Sequence, residues 1–216
     1  MDKQTAFDLR DISFDAFLDL IFDHPVAEKG KKEKEWYWHV PIDRRIEMDK
    51  AGVVERYVEL FFRSDELLGR YSKDKLDQGC WFMMCSDLDF SACELIRDDE
   101  LDIKLKERLI GSMYFLYEKL YSIEPLETSS YMWWDSFSRI PGLEDPTGRI
   151  QGAIFDTLVK ILALDSEFCQ GAALHGMGHL GHPDTERVIK VFMKKHPDLT
   201  EKQIDYCNNC ITGDIL

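Results

Sequence analysis

The chain has 216 residues, with 27 Lys and Arg against 41 Asp and Glu, which gives a formal charge of −14. Its hydrophobic share of 44% and charged share of 31%, with only 7 Pro, exclude the collagen-like, mucin-like and disordered classes. This acidity argues against binding to nucleic acid or to anionic membranes, because both need a basic face. It permits a basic protein partner.

The first eight residues contain neither a basic segment nor an apolar run, so the sequence predicts no secretory signal. No stretch approaches the ~18 apolar residues that a membrane-spanning helix needs. The six cysteines are expected to be reduced core residues, because the chain is too long and too apolar for a disulfide scaffold. We therefore predict a cytoplasmic protein.

In the first part of the chain, the predicted elements are helices with apolar residues three and four positions apart. Ser13 is the expected N-cap of the first helix, which His24 and Pro25 end. Residues 28–35 are predicted to be a solvated loop, and residues 36–42 form either an extended segment or an aromatic plug over a helix end. Further helices are expected near residues 54–61, 65–70, 73–85, 88–97 and 101–122. Residues 123–130 are predicted to be a connection.

The break at residues 140–146, which contains two prolines and a glycine, marks the best candidate boundary. We predict one helical domain over residues 1–216 with a candidate sub-boundary near 138–148. An amphipathic helix follows from Ile150, and three more are expected at 166–181, 183–195 and 200–212. Thr200 and Gln203 are expected to form a capping box. The predicted fold is all-α, an irregular α-α superhelix or HEAT-like helical array.

The most unusual segment covers residues 169–182, which are apolar around most of the predicted helix. At about 100° per residue, His175, His179 and His182 share one face within roughly 60° of arc. A glycine inside a helix costs about 1 kcal/mol relative to alanine. The four glycines here therefore need a compensation, such as the close approach of another backbone or a ligand.

One interpretation of this face is a metal site. Imidazoles at i and i+4 can bind one ion, His182 can add a third, and Cys207 with Cys210 can complete a zinc site. Two observations argue against it. Gly176 stands where the zinc-protease pattern has its general-base Glu, and three histidines along a helix span about 10 Å of its axis.

Two other interpretations stay open for the same face. The first is packing, in which neutral histidines hydrogen-bond to the backbone while Gly171 and Gly178 let a neighbouring helix come close. The second is a polar ligand pocket without metal, in which His175 or His179 transfers protons.

Trp133, Trp134 and Asp135 are further candidates for lining a ligand pocket. The alternative for the two tryptophans is that one packs in the core and the other on a neighbouring loop. The sequence contains no nucleotide-binding loop and no serine-hydrolase elbow, so no catalytic residue is assigned.

Residues 164–180, LDSEFCQGAALHGMGHL, together with residues 132–135, MWWD, resemble a group of uncharacterised bacterial proteins with helical, HEAT-like architecture. The resemblance covers mainly residues 130–216. It implies a bacterial, cytoplasmic, all-α protein, and it transfers no catalytic residue.

Two functions follow as hypotheses. The lack of a catalytic motif favours a non-enzymatic interaction protein, such as an inhibitor or immunity-type protein whose negative field steers a basic partner. The alternative is a metal-dependent hydrolase or another small-molecule enzyme centred on His175 and His179, with Glu167 or Asp135 assisting. The first function needs no cofactor, and the second implies zinc.

Overall fold

The computed structural model describes residues 6–26, 35–41, 45–85, 87–138 and 145–215. The described residues form ten α-helices and one pair of short strands, which confirms the predicted all-α class. Nearly all of the charged loop at 28–35 and most of the break at 140–146 lie outside the described residues. The prediction of one domain with a sub-boundary near 138–148 stays a prediction.

Helix α1 (Phe14–Phe22) begins at Ser13 as predicted, because the Ser13 hydroxyl accepts the Ala16 backbone N–H. Beyond the end of α1, the ring of His24 stacks on Trp36 with the centroids 4.0 Å apart. Residues Trp36–His39 form a 3-10 helix. This segment is therefore helical rather than extended, and it packs as an aromatic plug beside the end of α1.

Two three-residue strands pair in parallel, β1 (Ala6–Asp8) with β2 (Arg45–Glu47), and Phe7 lies opposite Ile46. Strands this short give no alternating pattern of apolar and polar residues, so the sequence does not reveal them.

The middle of the chain consists of α2 (Lys50–Phe62), α3 (Lys73–Cys85), α4 (Ala92–Arg97), α5 (Ile103–Leu116) and α6 (Glu127–Ser138). A 3-10 turn at Ser64–Leu67 follows α2, and α5 continues into a π-helix at Tyr117–Tyr121. The prediction of a connection at 123–130 is wrong for its last four residues, which begin α6. Ser130 fits there because its hydroxyl donates to the Leu126 carbonyl within the helix.

The last part of the chain contains α7 (Arg149–Leu162), α8 (Glu167–Leu180), α9 (Thr185–Lys195) and α10 (Glu201–Thr212). The capping box of Thr200 and Gln203 is present as predicted. Helix α8 lies at the centre of this region, where α6, α7 and α10 all pack against it. None of the described helices is both long enough and apolar enough to cross a bilayer.

Candidate metal centre

Helix α8 carries the two histidines of the candidate site. It begins at Ser166, whose hydroxyl accepts the Cys169 backbone N–H, and it ends before Gly181, which has a φ of +61°. His175 and His179 lie one turn apart on the same face. Their ring centroids are 4.6 Å apart and the rings are almost perpendicular, at 84°.

Two glycines let neighbouring helices approach this part of α8. A Cβ atom at Gly176 would lie 2.6 Å from the Cβ of Trp134 in α6, and one at Gly178 would lie 3.2 Å from the Cα of Cys210 in α10. Real Cβ atoms essentially never show the first distance and rarely show the second, so glycine is needed at the first contact and relieves crowding at the second. Gly171 is predicted to have the same role as Gly178, but no atom of the described residues lies within 4 Å of its Cβ position, and that prediction is wrong.

The close packing of α6 on α8 brings Asp135 to both histidines. Asp135 Oδ1 lies 2.9 Å from His175 Nε2 and 3.5 Å from His179 Nε2. Ligand atoms from the three residues all lie within 4.8 Å of one another. Two ligand atoms on one tetrahedral zinc ion lie about 3.3 Å apart, given bond lengths of about 2.0–2.1 Å. The two distances from Asp135 Oδ1, 2.9 and 3.5 Å, bracket the spacing of ligand atoms around one metal ion.

These three side chains form a mostly buried polar cluster, with His175 1% exposed, His179 16% and Asp135 25%. His175 Nε2 and Asp135 Oδ1 are buried, and no hydrogen bond satisfies either atom. The two atoms are only 2.9 Å apart, so their separation does not prevent a hydrogen bond between them. A proton on the imidazole nitrogen would lie in the ring plane and would not point at the oxygen. Buried polar atoms are rarely left in this state, which makes this cluster the candidate site of the described residues.

Two tyrosines hold the other side of the His175 ring. The Tyr206 hydroxyl from α10 lies 3.3 Å from His175 Nδ1, and the Tyr131 hydroxyl from α6 lies 2.6 Å from that of Tyr206. The Tyr131 ring also packs on the imidazole, with the centroids 4.5 Å apart. Burial, reinforced by Tyr131, raises the pKa of Tyr206 well above its ordinary value. Its hydroxyl therefore stays protonated at neutral pH and can both donate and accept.

The structure does not bring the other predicted metal ligands into this cluster. His182 lies beyond the end of α8, where its ring stacks on Phe155 at 3.9 Å and its Nδ1 accepts the Asp184 backbone N–H. Cys207 and Cys210 are buried in α10, and burial raises the pKa of both thiols, that of Cys210 to about 12. Cysteine binds metal as the thiolate, so these surroundings favour packing over coordination.

The two tryptophans predicted to line a pocket, or to divide between the core and a loop, are both fully buried in the core. The Trp133 indole N–H donates to the sulfur of Met113, and Trp134 packs on α8. Asp135 is the residue of this segment that reaches the histidines. Glu167, the other acid predicted to assist them, lies at the start of α8 and lines a cleft instead.

That cleft, of about 540 Å³, lies between α8 and α10. Its lining includes Asp165, Glu167 and Asp198, together with Gly171 and Tyr206. Because the Tyr206 hydroxyl also contacts His175, this tyrosine is shared between the cleft and the histidine cluster.

Comparison with known proteins gives no family assignment. No protein-family model matches the chain, and neither a curated protein nor a solved structure matches it. The resemblance to HEAT-like bacterial proteins therefore stays a prediction, and the function is inferred from the site itself.

Proposed function

We propose that the protein binds one divalent metal ion, zinc, through Asp135, His175 and His179, and that it acts as a metal-dependent hydrolase. The observation that carries this proposal is the convergence of three ligand atoms, which all lie within 4.8 Å of one another. Two of them, His175 Nε2 and Asp135 Oδ1, are buried without a hydrogen bond. A metal ion satisfies both atoms at once.

The number of ligands favours a catalytic role over a structural one. Structural zinc sites use four protein ligands, whereas catalytic sites use three and leave a position for water or substrate. Among the described residues the cluster supplies three. A zinc ion held by Asp135, His175 and His179 would supply Lewis acidity and would activate water for hydrolysis at neutral pH. His179 and Asp135, which are more exposed than His175, mark the side from which a substrate reaches the ion.

Metal analysis tests the site directly. Untagged protein purified without chelators is analysed by inductively coupled plasma mass spectrometry, beside Asp135→Asn and His179→Gln. Asp156→Asn, on the exposed side of α7, is the matched control. We expect about one zinc per chain in the wild type and the control, and loss of zinc from the two site variants with unchanged circular dichroism. A wild type that binds zinc no better than His179→Gln contradicts the proposal.

Hydrolysis is tested separately with chromogenic carboxylic-ester, phosphate-ester and amide substrates. We expect turnover that chelation abolishes, that added zinc restores and that His179→Gln lacks. If the protein binds one zinc per chain but hydrolyses none of these substrates in a zinc-dependent way, the proposed metal site stands and the proposed hydrolase activity is contradicted.

The predicted interaction function remains a second proposal, because one feature of the cleft favours it. Among the described residues, the cleft lining contains three carboxylates, Asp165, Glu167 and Asp198, and one imidazole, His196, but no Lys or Arg, which suits a basic side chain of a partner. In this second proposal the protein is bacterial and acts in the cytoplasm. We expect a basic test protein to bind at physiological salt and to bind more weakly to Glu167→Gln. Binding that vanishes at physiological salt contradicts it.

A further inference from the structure

We propose that Tyr206 is the positioning residue of the metal centre. Its hydroxyl accepts the Nδ1 proton of His175 and thereby holds the tautomer in which Nε2 has a free lone pair for a metal ion. This inference rests on the metal site of the proposed function but not on hydrolysis. Its core, the tautomer of His175, is a property of the metal-free chain.

Metal binding imposes a requirement on the ring of His175. A neutral imidazole carries one proton, so a ring that binds metal through Nε2 carries its proton on Nδ1. Histidine ligands accordingly donate that proton to an acceptor behind the ring, which fixes both tautomer and orientation. Behind His175 this acceptor is the Tyr206 hydroxyl, 3.3 Å from Nδ1.

The geometry on the other side of the ring selects between the two tautomers. With the proton on Nε2, the N–H would be buried and would not point at Asp135 Oδ1, although the oxygen is only 2.9 Å away. With the proton on Nδ1, the N–H has the hydroxyl of Tyr206 as an acceptor at 3.3 Å. A buried N–H without an acceptor is unfavourable, so the contacts favour the Nδ1–H tautomer even before an ion binds.

Tyr131 completes the arrangement. Once Tyr206 accepts from His175, its own proton needs an acceptor, and the Tyr131 oxygen lies 2.6 Å away. The Tyr131 ring packs on the His175 imidazole, so the same residue limits rotation of the ring. His175 Nδ1 then donates a hydrogen bond to Tyr206, and the Tyr206 hydroxyl donates one to Tyr131.

The first experiment is nitrogen NMR of the metal-free wild-type chain, which needs no variant. Long-range proton–nitrogen spectra distinguish a protonated ring nitrogen from one with a free lone pair. We expect Nδ1 of His175 to be protonated and Nε2 to be free. A protonated Nε2 in the wild type overturns the inference.

The second experiment measures zinc affinity by competition with a chromogenic chelator. Tyr206→Phe removes the acceptor. Tyr114→Phe is the control, because the Tyr114 hydroxyl donates to Glu118 and, within the described part of the chain, makes no hydrogen bond to the three proposed ligands. We expect Tyr206→Phe to bind zinc about 10–100-fold more weakly, which is the usual effect of losing such a partner. We also expect this variant to populate the His175 tautomer that carries its proton on Nε2. Tyr114→Phe should bind as the wild type does.

The outcomes separate this inference from the proposed function. Equal zinc affinity and an unchanged tautomer in Tyr206→Phe overturn the inference while leaving the metal site in place. An Nδ1–H tautomer in the wild type, lost in Tyr206→Phe, with no zinc binding by either protein, supports the positioning role and contradicts the proposed function. If Tyr206→Phe does not fold, the wild-type NMR measurement still decides the tautomer.

Discussion

Gly176 packs so closely on Trp134 that a Cβ atom at the glycine would lie 2.6 Å from the Cβ of the tryptophan. Each of these residues is next in sequence to a proposed ligand, since Trp134 precedes Asp135 and Gly176 follows His175. The approach of the α6 and α8 backbones at this point therefore sets the 2.9 Å distance between Asp135 Oδ1 and His175 Nε2.

Gly176→Ala is expected to force these helices apart. The added methyl group would also lie 2.9 Å from Leu158 Cδ2, and overpacking a core typically costs about 1–3 kcal/mol. We expect urea denaturation to show a loss of unfolding free energy of about this size. Zinc affinity should fall with it, because the Asp135 carboxylate moves away from His175.

Gly171→Ala is the matched control on the same helix, because a Cβ atom at Gly171 meets no atom within 4 Å. Replacing such a glycine typically stabilises a protein by about 0.4–1 kcal/mol. If Gly176→Ala proved as stable as Gly171→Ala, the close packing of α6 on α8 would be wrong.

Zinc content is expected to be insensitive to the predicted ligands that lie outside the cluster. His182→Asn and Cys207→Ala should each keep the wild-type metal content by mass spectrometry, although lost packing lowers their stability. His182 stacks on Phe155, and Cys207 is buried in α10. Loss of zinc from either variant in its folded form would mean that the ion has other ligands than the three proposed.

Acid is expected to weaken the contact between α1 and the segment after α2. The Tyr71 hydroxyl donates to Asp19 Oδ1 at 2.6 Å and Arg70 donates at 2.8 Å, and these contacts, Tyr71 foremost, lower the pKa of Asp19. A carboxyl with a lower pKa in the folded state stabilises at neutral pH. This contribution is lost as the pH falls below about 4 and through the folded pKa.

In Tyr71→Phe we expect the pKa of Asp19 to rise, as measured by NMR titration of its carboxyl carbon. The fall in unfolding free energy between about pH 6 and about pH 3 should be smaller than in the wild type. An Asp19 pKa that does not change in this variant would show that the Tyr71 hydroxyl does not hold the carboxylate.

Helix α10, which carries Tyr206, is expected to depend on its capping box. Thr200 Oγ1 accepts the Gln203 backbone N–H at 3.4 Å, and Gln203 Oε1 accepts the Thr200 backbone N–H at 2.9 Å. Thr200→Ala should lower the unfolding free energy by about 1 kcal/mol and speed amide exchange in the first turn. Thr212→Ala, at the other end of α10, should change the free energy of unfolding by less than about 0.5 kcal/mol. Equal effects would argue against the cap.

Helices were predictable where their signals are local. The Ser13 cap and the apolar face behind it predict α1, and the Thr200 capping box predicts α10. The pairing of β1 with β2 was not predictable, because it joins Ala6 to Arg45 and depends on long-range packing rather than on any local pattern.

The candidate site was predictable in part for the same reason. The period of one helix aligns His175 with His179, so the sequence alone indicates that face. From the sequence, Asp135 is named beside the two tryptophans and, as an alternative to Glu167, as the acid that assists the histidines, but Tyr206 is not singled out. Which residues of α6 and α10 meet α8 depends on where the glycines permit close contact, and only the packed structure shows this.

The left-handed backbone of Gly181 decides how many imidazoles face Asp135. A helix continued by two residues would add His182 to the row of His175 and His179, as the sequence suggests. The φ of +61° at Gly181 ends α8 first and turns His182 onto Phe155. One torsion angle thus limits the nitrogen ligands to two, although the chain encodes a third histidine in register.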